Sequence, residues 1–159
     1  MQRRITPIPC KPWTLNGLSD RLIVRHYENN YGAAVRSVNS IQSRLAELDP
    51  TSAPVYEIRA LKQAELSAMG SVALHELYFG SLGGDGAVLA VDDSQAMLDA
   101  APLLALDMYE HAYQMEFGAN ATAYIDAFMR NVDWTAVDNR LTHATSAQES
   151  PRVYEAPAG

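Results

Sequence analysis

One face of the chain repeats at spacings of three and four between about Ser19 and Leu48. Leu22, His26, Asn29 or Asn30, Ala33, Val38, Ile41 and Leu45 fall near that face and predict a helix. Asp49-Pro50 ends it, because proline carries no N–H to continue the ladder. After the loop "PTSAPVYEI" the same period returns from about Lys62 to Phe79. There Leu66, Met69, Val72, His75 and Phe79 share a face. "GSLGGDG" (80–86) breaks the pattern and marks a lobe boundary. Two short apolar runs, "AVLAV" (87–91) and "PLLALDM" (102–108), read as strands. A last helix, about Ala121 to Val132, carries Tyr124, Phe128 and Met129. Ahead of all these, residues 1–17 hold Pro7, Pro9, Pro12 and Gly17 and read as an extended arm. After about Thr142 the chain is poor in core residues and reads as a mobile tail.

With 159 residues the chain is long enough for one domain, or two small lobes sharing a core. Its hydrophobic content, 48%, is too high for disorder. The formal net charge of −7 argues against nucleic acid and anionic membrane as partners, since both demand a basic surface. No apolar run is long enough to span a bilayer, and "MQRRITPIPCKPW" has charge but no apolar core of a signal peptide. The single cysteine, Cys10, excludes an intramolecular disulfide and a thiolate metal cluster. A cytoplasmic protein fits this composition.

The chemistry concentrates where the second apolar run ends. Leu103-Leu104-Ala105-Leu106 stops on Asp107, and Glu110 and His111 follow at once. Ionisable groups that leave water together must pair, hydrogen-bond or bind a metal. Of the four histidines, His26, His75 and His111 lie inside apolar elements and His143 lies in the tail. Taken singly, each is more often a satisfied core histidine than a ligand. Three of them with Asp107 change that balance, because one shared cation would satisfy all four. Imidazole and carboxylate without sulfur suit Fe, Mn, Zn, Cu or Ni. Three His and one Asp, with room for a solvent molecule, make an open, catalytic kind of site.

"LDMYEHAY" (106–113) resembles the D-x-W/Y-E-H-A-Y motif of the iron/manganese superoxide dismutase family. The resemblance extends through "LIVRHYENNYGAAV" (22–35), "LHELYFGSLGGDG" (74–86), "PLLALDMYEHAYQMEFG" (102–118) and "YIDAFMRNVDW" (124–134). It implies an α+β fold: an arm and helical hairpin (1–84), a reduced C-terminal α/β lobe with a small antiparallel sheet (85–141), and a tail (142–159). The metal would lie between the lobes, held by His26, His75, Asp107 and His111. The cofactor implied is one Fe or Mn ion per subunit, and the reaction is disproportionation of superoxide to dioxygen and hydrogen peroxide. Glu110 would reach the partner subunit's copy of the last histidine in a homodimer or higher oligomer. Tyr78 and Tyr113 would line the approach to the metal, and Trp134 would pack near it.

Three departures from the family pattern stand out. Between "SLGGDG" and "PLLALD" the family carries a few dozen more residues, including a helix, a strand and a tryptophan of the pocket wall; here "AVLAVDDSQAMLDAA" remains. The sheet should shrink to about two strands and borrow support from helices, a second copy or a different protein. The outer-sphere position taken by Gln or His in the family falls on Asp93, with Gln95 two residues on. The family's gateway Tyr and nearby His fall on Ala34 and Asn30, and Tyr31 lies close enough to substitute. Two other functional readings follow. One is a dismutase-like metal-binding or structural subunit, with "PRVYEAP" as a docking peptide. The other is a different oxygen- or peroxide-using metalloenzyme on the same scaffold.

Overall fold

The computed structural model describes residues 2–49, 51–84 and 102–149. A single turn of 3-10 helix, Pro12–Thr14, interrupts the extended arm. The first long helical path then runs as α1 (Asp20–Arg25), a π-helical turn (His26–Tyr31) and α2 (Gly32–Glu47). Ser19 starts it: its hydroxyl accepts from the Leu22 N–H, satisfying a donor with no intrahelical partner. In a short loop the Asp49 carboxylate accepts from Thr51 and Ser52, an Asx turn. The chain then enters α3 (Val55–Phe79), which packs along α2. α3 begins directly after Pro54, seven residues before the period predicts: Pro54 sits at the N-cap, and its carbonyl accepts from Glu57 and Ile58 N–H.

Beyond the break come α4 (Glu110–Phe117), α5 (Ala121–Met129) and α6 (Trp134–Glu149). Asn120 caps α5 by accepting from Ala123 N–H, and Asp133 caps α6 by accepting from Ala136 N–H. The core gathers Leu22 and Ile23 of α1, Tyr31 of the π turn, Val35 and Val38 of α2, Val72, Tyr78 and Phe79 of α3, and Tyr124, Ala127 and Phe128 of α5. On α3 the predicted buried face holds only for its second half. Val72, His75 and Phe79 are buried, whereas Leu66 and Met69 are exposed.

Two expectations are corrected here. The small sheet is absent among the described residues, where the sole β-type pairing is the isolated antiparallel bridge of Leu82 with Val132. The run 102–108 is extended and among the described residues pairs with no strand; 87–91 lies outside the described residues. Backbone N–H and C=O groups need partners, and one carbonyl of this run finds a side chain. Arg140 donates to the Leu103 carbonyl at 2.6 Å, to the Gly80 carbonyl and to the Ser81 hydroxyl. It thereby joins the end of α3, the extended run and α6. The second correction concerns the tail. Residues 142–149 continue α6, which the cap at Asp133 starts and Val137 anchors in the core.

Glycine is required at the turn after α3. Gly83 has φ +112°, and a Cβ on Gly84 would lie 2.3 Å from the Val132 carbonyl oxygen. The bare backbone lets Gly83 and Gly84 N–H reach Asn131 C=O, while Asp133 N–H reaches Ser81 C=O at 2.8 Å. The Asn131 side chain in turn accepts from Asn16 N–H and donates to Asn16 and Ala127 carbonyls. Replacing Arg140 by Leu leaves two carbonyls without their donor. The expected loss is about 2–3 kcal/mol, roughly 5–10 °C in Tm. Thermal denaturation measures it; an unchanged Tm would show that Arg140 is not the clamp described.

Candidate metal centre

Four side chains from three separate stretches meet at one point. His26 opens the π turn and is 1% exposed. His75 lies near the end of α3, and His111 is the second residue of α4. Asp107 ends the extended run, where its Oδ1 accepts from Tyr109 N–H at 2.9 Å. That turn aims the other oxygen, Oδ2, at the imidazoles. His26 Nε2 lies 3.0 Å from Oδ2, His111 Nε2 3.1 Å and His75 Nε2 3.9 Å. One donor atom from each of the four residues falls within 4.8 Å of every other.

Hydrogen bonding fixes what these atoms carry. His75 Nδ1 lies 2.7 Å from the Ser71 carbonyl one helical turn back, so that nitrogen bears the proton and donates. Burial holds the His75 imidazole below its ordinary pKa, although Ser71 opposes this, so the ring is neutral. Its Nε2 is therefore a lone pair, buried and without a hydrogen-bond partner. It faces a carboxylate. Burial alone would raise Asp107, but the hydrogen bonds from His26 and Tyr109 N–H prevail and hold it at about 2. Two acceptors thus look at each other across 3.9 Å with no proton between them. A cation resolves that conflict. Donors each about 2.1 Å from a shared ion in a four-donor set stand ~3.4 Å apart. The separations of 3.0, 3.1 and 3.9 Å bracket that spacing, and the chemistry of the set, three imidazoles and one carboxylate, suits iron or manganese.

The residues around the cluster divide into those that touch it and those that do not. The Tyr78 ring packs 4.9 Å from the His26 ring, and its hydroxyl pairs with that of Tyr124 at 3.3 Å. Burial raises both phenols well above their ordinary range, so both stay protonated. Tyr113 stands one step back, stacked on Tyr124 at 5.1 Å. Tyr31 stacks on His75, with ring centroids 6.0 Å apart, but its hydroxyl turns away and donates to Glu76 at 2.8 Å. Trp134 packs against the core, its Nε1 without a partner among the described residues. Glu110 is exposed on the first turn of α4. Asp93 and Gln95 lie outside the described residues. The sequence reading did not single out Ser71 or Tyr124. A Ser four residues before a helical His was a usable signal for the first; an aromatic on a core face gave none for the second.

The cluster is reached from two sides. A cavity of about 900 Å³ is bounded by Leu66, Leu74 and Met108 and exposes His75, Asp107 and His111. A shallower hollow of about 500 Å³ on another side is lined by Asn30, Ala34, Ser71, His75 and His111. Asn30 and Ala34, where the resemblance in sequence implies larger side chains, line this second approach.

Residues 63–140 match the family described as iron/manganese superoxide dismutases, C-terminal domain. The superoxide dismutase [Fe] of Cupriavidus metallidurans is 38% identical over 194 aligned positions, which cover 91% of this chain and 98% of that protein. The superoxide dismutase [Fe] of Aquifex aeolicus is 30% identical over 195 positions, covering 88% and 92%. A superoxide dismutase [Mn] of Mycolicibacterium smegmatis is 39% identical over a shorter stretch, 72 positions, covering 44% and 35%. An alignment of 194 positions cannot be filled by 159 residues, so at least 35 of those positions have no counterpart here. With two relatives matched along nearly their whole length, and residues 63–140 matched by the family's own pattern, this chain belongs to the iron/manganese superoxide dismutase family.

Proposed function

We propose that the protein is a superoxide dismutase whose single Fe or Mn ion is held by the Nε2 atoms of His26, His75 and His111 and by Asp107. The observation that carries this reading is the buried lone pair of His75 facing the Asp107 carboxylate, inside a chain of this family. Iron or manganese bound there supplies the one-electron exchange by which one superoxide becomes dioxygen and a second, with two protons, becomes hydrogen peroxide. The chain's own residues set the conditions. Ser71 fixes the tautomer of His75, and Tyr109 N–H fixes the carboxylate that the three imidazoles surround. One carboxylate against a di- or trivalent cation leaves the site positive, which draws a small anion towards it despite the net charge of −7. Tyr78 and Tyr124 close the inner wall with neutral phenols. Glu110, exposed one residue before His111, is available to a second subunit, and the functional state is a homodimer or higher oligomer built across α4.

A second reading draws on the cavity of about 900 Å³, much more space than a diatomic anion fills, and on the 35 or more absent positions. It is a family member that keeps the metal but turns over superoxide slowly, or acts on another oxygen species.

Two measurements decide these points. Loaded separately with Fe and with Mn, the protein is expected to consume superoxide rapidly per bound metal with one of them. Full occupancy without turnover would leave only the second reading. His75→Ala and Asp107→Ala are expected to lower bound metal at least tenfold, since each removes a donor from a four-donor set. Undiminished metal content would refute the site.

A further inference from the structure

The N-terminal arm lies across the flank of the hairpin that carries His26 and His75. Arg3 is pinned twice by Asn39: its N–H donates to Asn39 Oδ1 at 2.8 Å, and its C=O accepts from Asn39 Nδ2 at 2.9 Å. Its guanidinium pairs with Glu76 Oε2 at 3.2 Å. Three residues on, Thr6 N–H donates to the Tyr31 hydroxyl at 2.9 Å, and Thr6 C=O accepts from Tyr27. The Tyr31 hydroxyl donates in turn to Glu76 Oε1 at 2.8 Å, and Thr6 Oγ1 donates to the same oxygen. Glu76 follows His75 directly. Successive residues of a helix point about 100° apart, so Glu76 cannot reach the donors itself. It reaches them through Tyr31, which is 1% exposed and stacks on the His75 ring.

The π turn makes this juxtaposition possible. Five residues along an α-helix bring a side chain about 140° away from the starting one. Here Gly32 N–H reaches back five residues to Tyr27 C=O, so one extra residue enters the turn. His26 and Tyr31 both end up on the buried side and both reach the His75 ring: His26 edge-on at 5.1 Å and Tyr31 stacked at 6.0 Å.

We propose that the arm is a strap that positions a metal donor: Thr6 and Glu76 hold the Tyr31 hydroxyl, and the Tyr31 ring holds the His75 imidazole. Glu76 and Tyr31 are positioning residues, and Arg3 steadies Glu76. The strap rests on the reading of the four-residue cluster as the metal site. It makes retention of the ion depend on residues 3–6, far from every donor in sequence.

The test uses the full chain loaded with iron, with release to excess chelator as one readout and the electron paramagnetic resonance spectrum of the bound ferric ion as the other. Tyr31→Phe and Glu76→Ala are each expected to release iron about tenfold faster and to alter the spectrum. The double variant should be no faster than the worse single one, since both break the same bond. Glu76→Gln keeps an oxygen for the Tyr31 hydroxyl and should stay within about threefold of the unmodified protein. Glu65→Ala, on the same helix but bonded to Gln42 and Lys62, should change neither readout. If the unmodified protein holds iron and Glu76→Ala and Tyr31→Phe match it in rate and spectrum, the strap is overturned and the site stands. If the unmodified protein retains neither iron nor manganese, the site and the strap fall together. Glu76 is partly exposed, so its alanine variant keeps the helix.

Discussion

A neutral imidazole and a carboxylate face each other at the centre of the cluster, each offering electrons and neither a proton. No packing of side chains removes that conflict; a positive charge between them does. The rest of the molecule is arranged around it. His26 comes from the first helical path, His75 from the second, and Asp107 and His111 from the far side of the chain. The point where they meet therefore ties the two halves of the fold together, and a cation bound there would couple its binding to the docking of those halves. The Ser71 carbonyl matters for the same reason. By accepting a hydrogen bond from Nδ1 it keeps the proton there and leaves Nε2 a lone pair facing the carboxylate.

The four side chains that converge were legible because their chemistry is scarce. Three histidines in apolar elements and an aspartate ending an apolar run are expensive unless shared, and all four converge. The fold was legible where period alone decides it, along α2 and the second half of α3. It was not legible where something other than period decides. The π turn preserves the helical look of "HYENNY" while moving Tyr31 to the buried side, and a constant period places it wrongly. The start of α3 is set by Pro54 rather than by an apolar residue. α6 was missed because its sequence is poor in core residues; its cap at Asp133 and its core contacts at Trp134 and Val137 were the available signals. "PLLALDM" has strand composition, but strand formation depends on a neighbour, which composition does not encode.

The tyrosines divide the surroundings of the site by function rather than by distance. Tyr78 and Tyr124 share a hydroxyl contact in the core and form its inner wall. Tyr31 faces the same imidazoles but spends its hydroxyl on the arm. An aromatic residue close to a metal donor is thus not automatically part of the chemistry; where its polar end points decides. At Asn30 and Ala34 there is no large side chain at all, and solvent approaches His75 and His111 from that side.

The bonds at the turn after α3 and at Leu103 have a consequence for how such a chain can change. Gly83 and Gly84 are held by Asn131, and Leu103 by Arg140, so the two ends of the intervening connection are anchored to α5 and α6 and their junction. Neither anchor belongs to the connection itself. Its length is therefore a free variable for evolution: residues can be lost there without displacing Asp107.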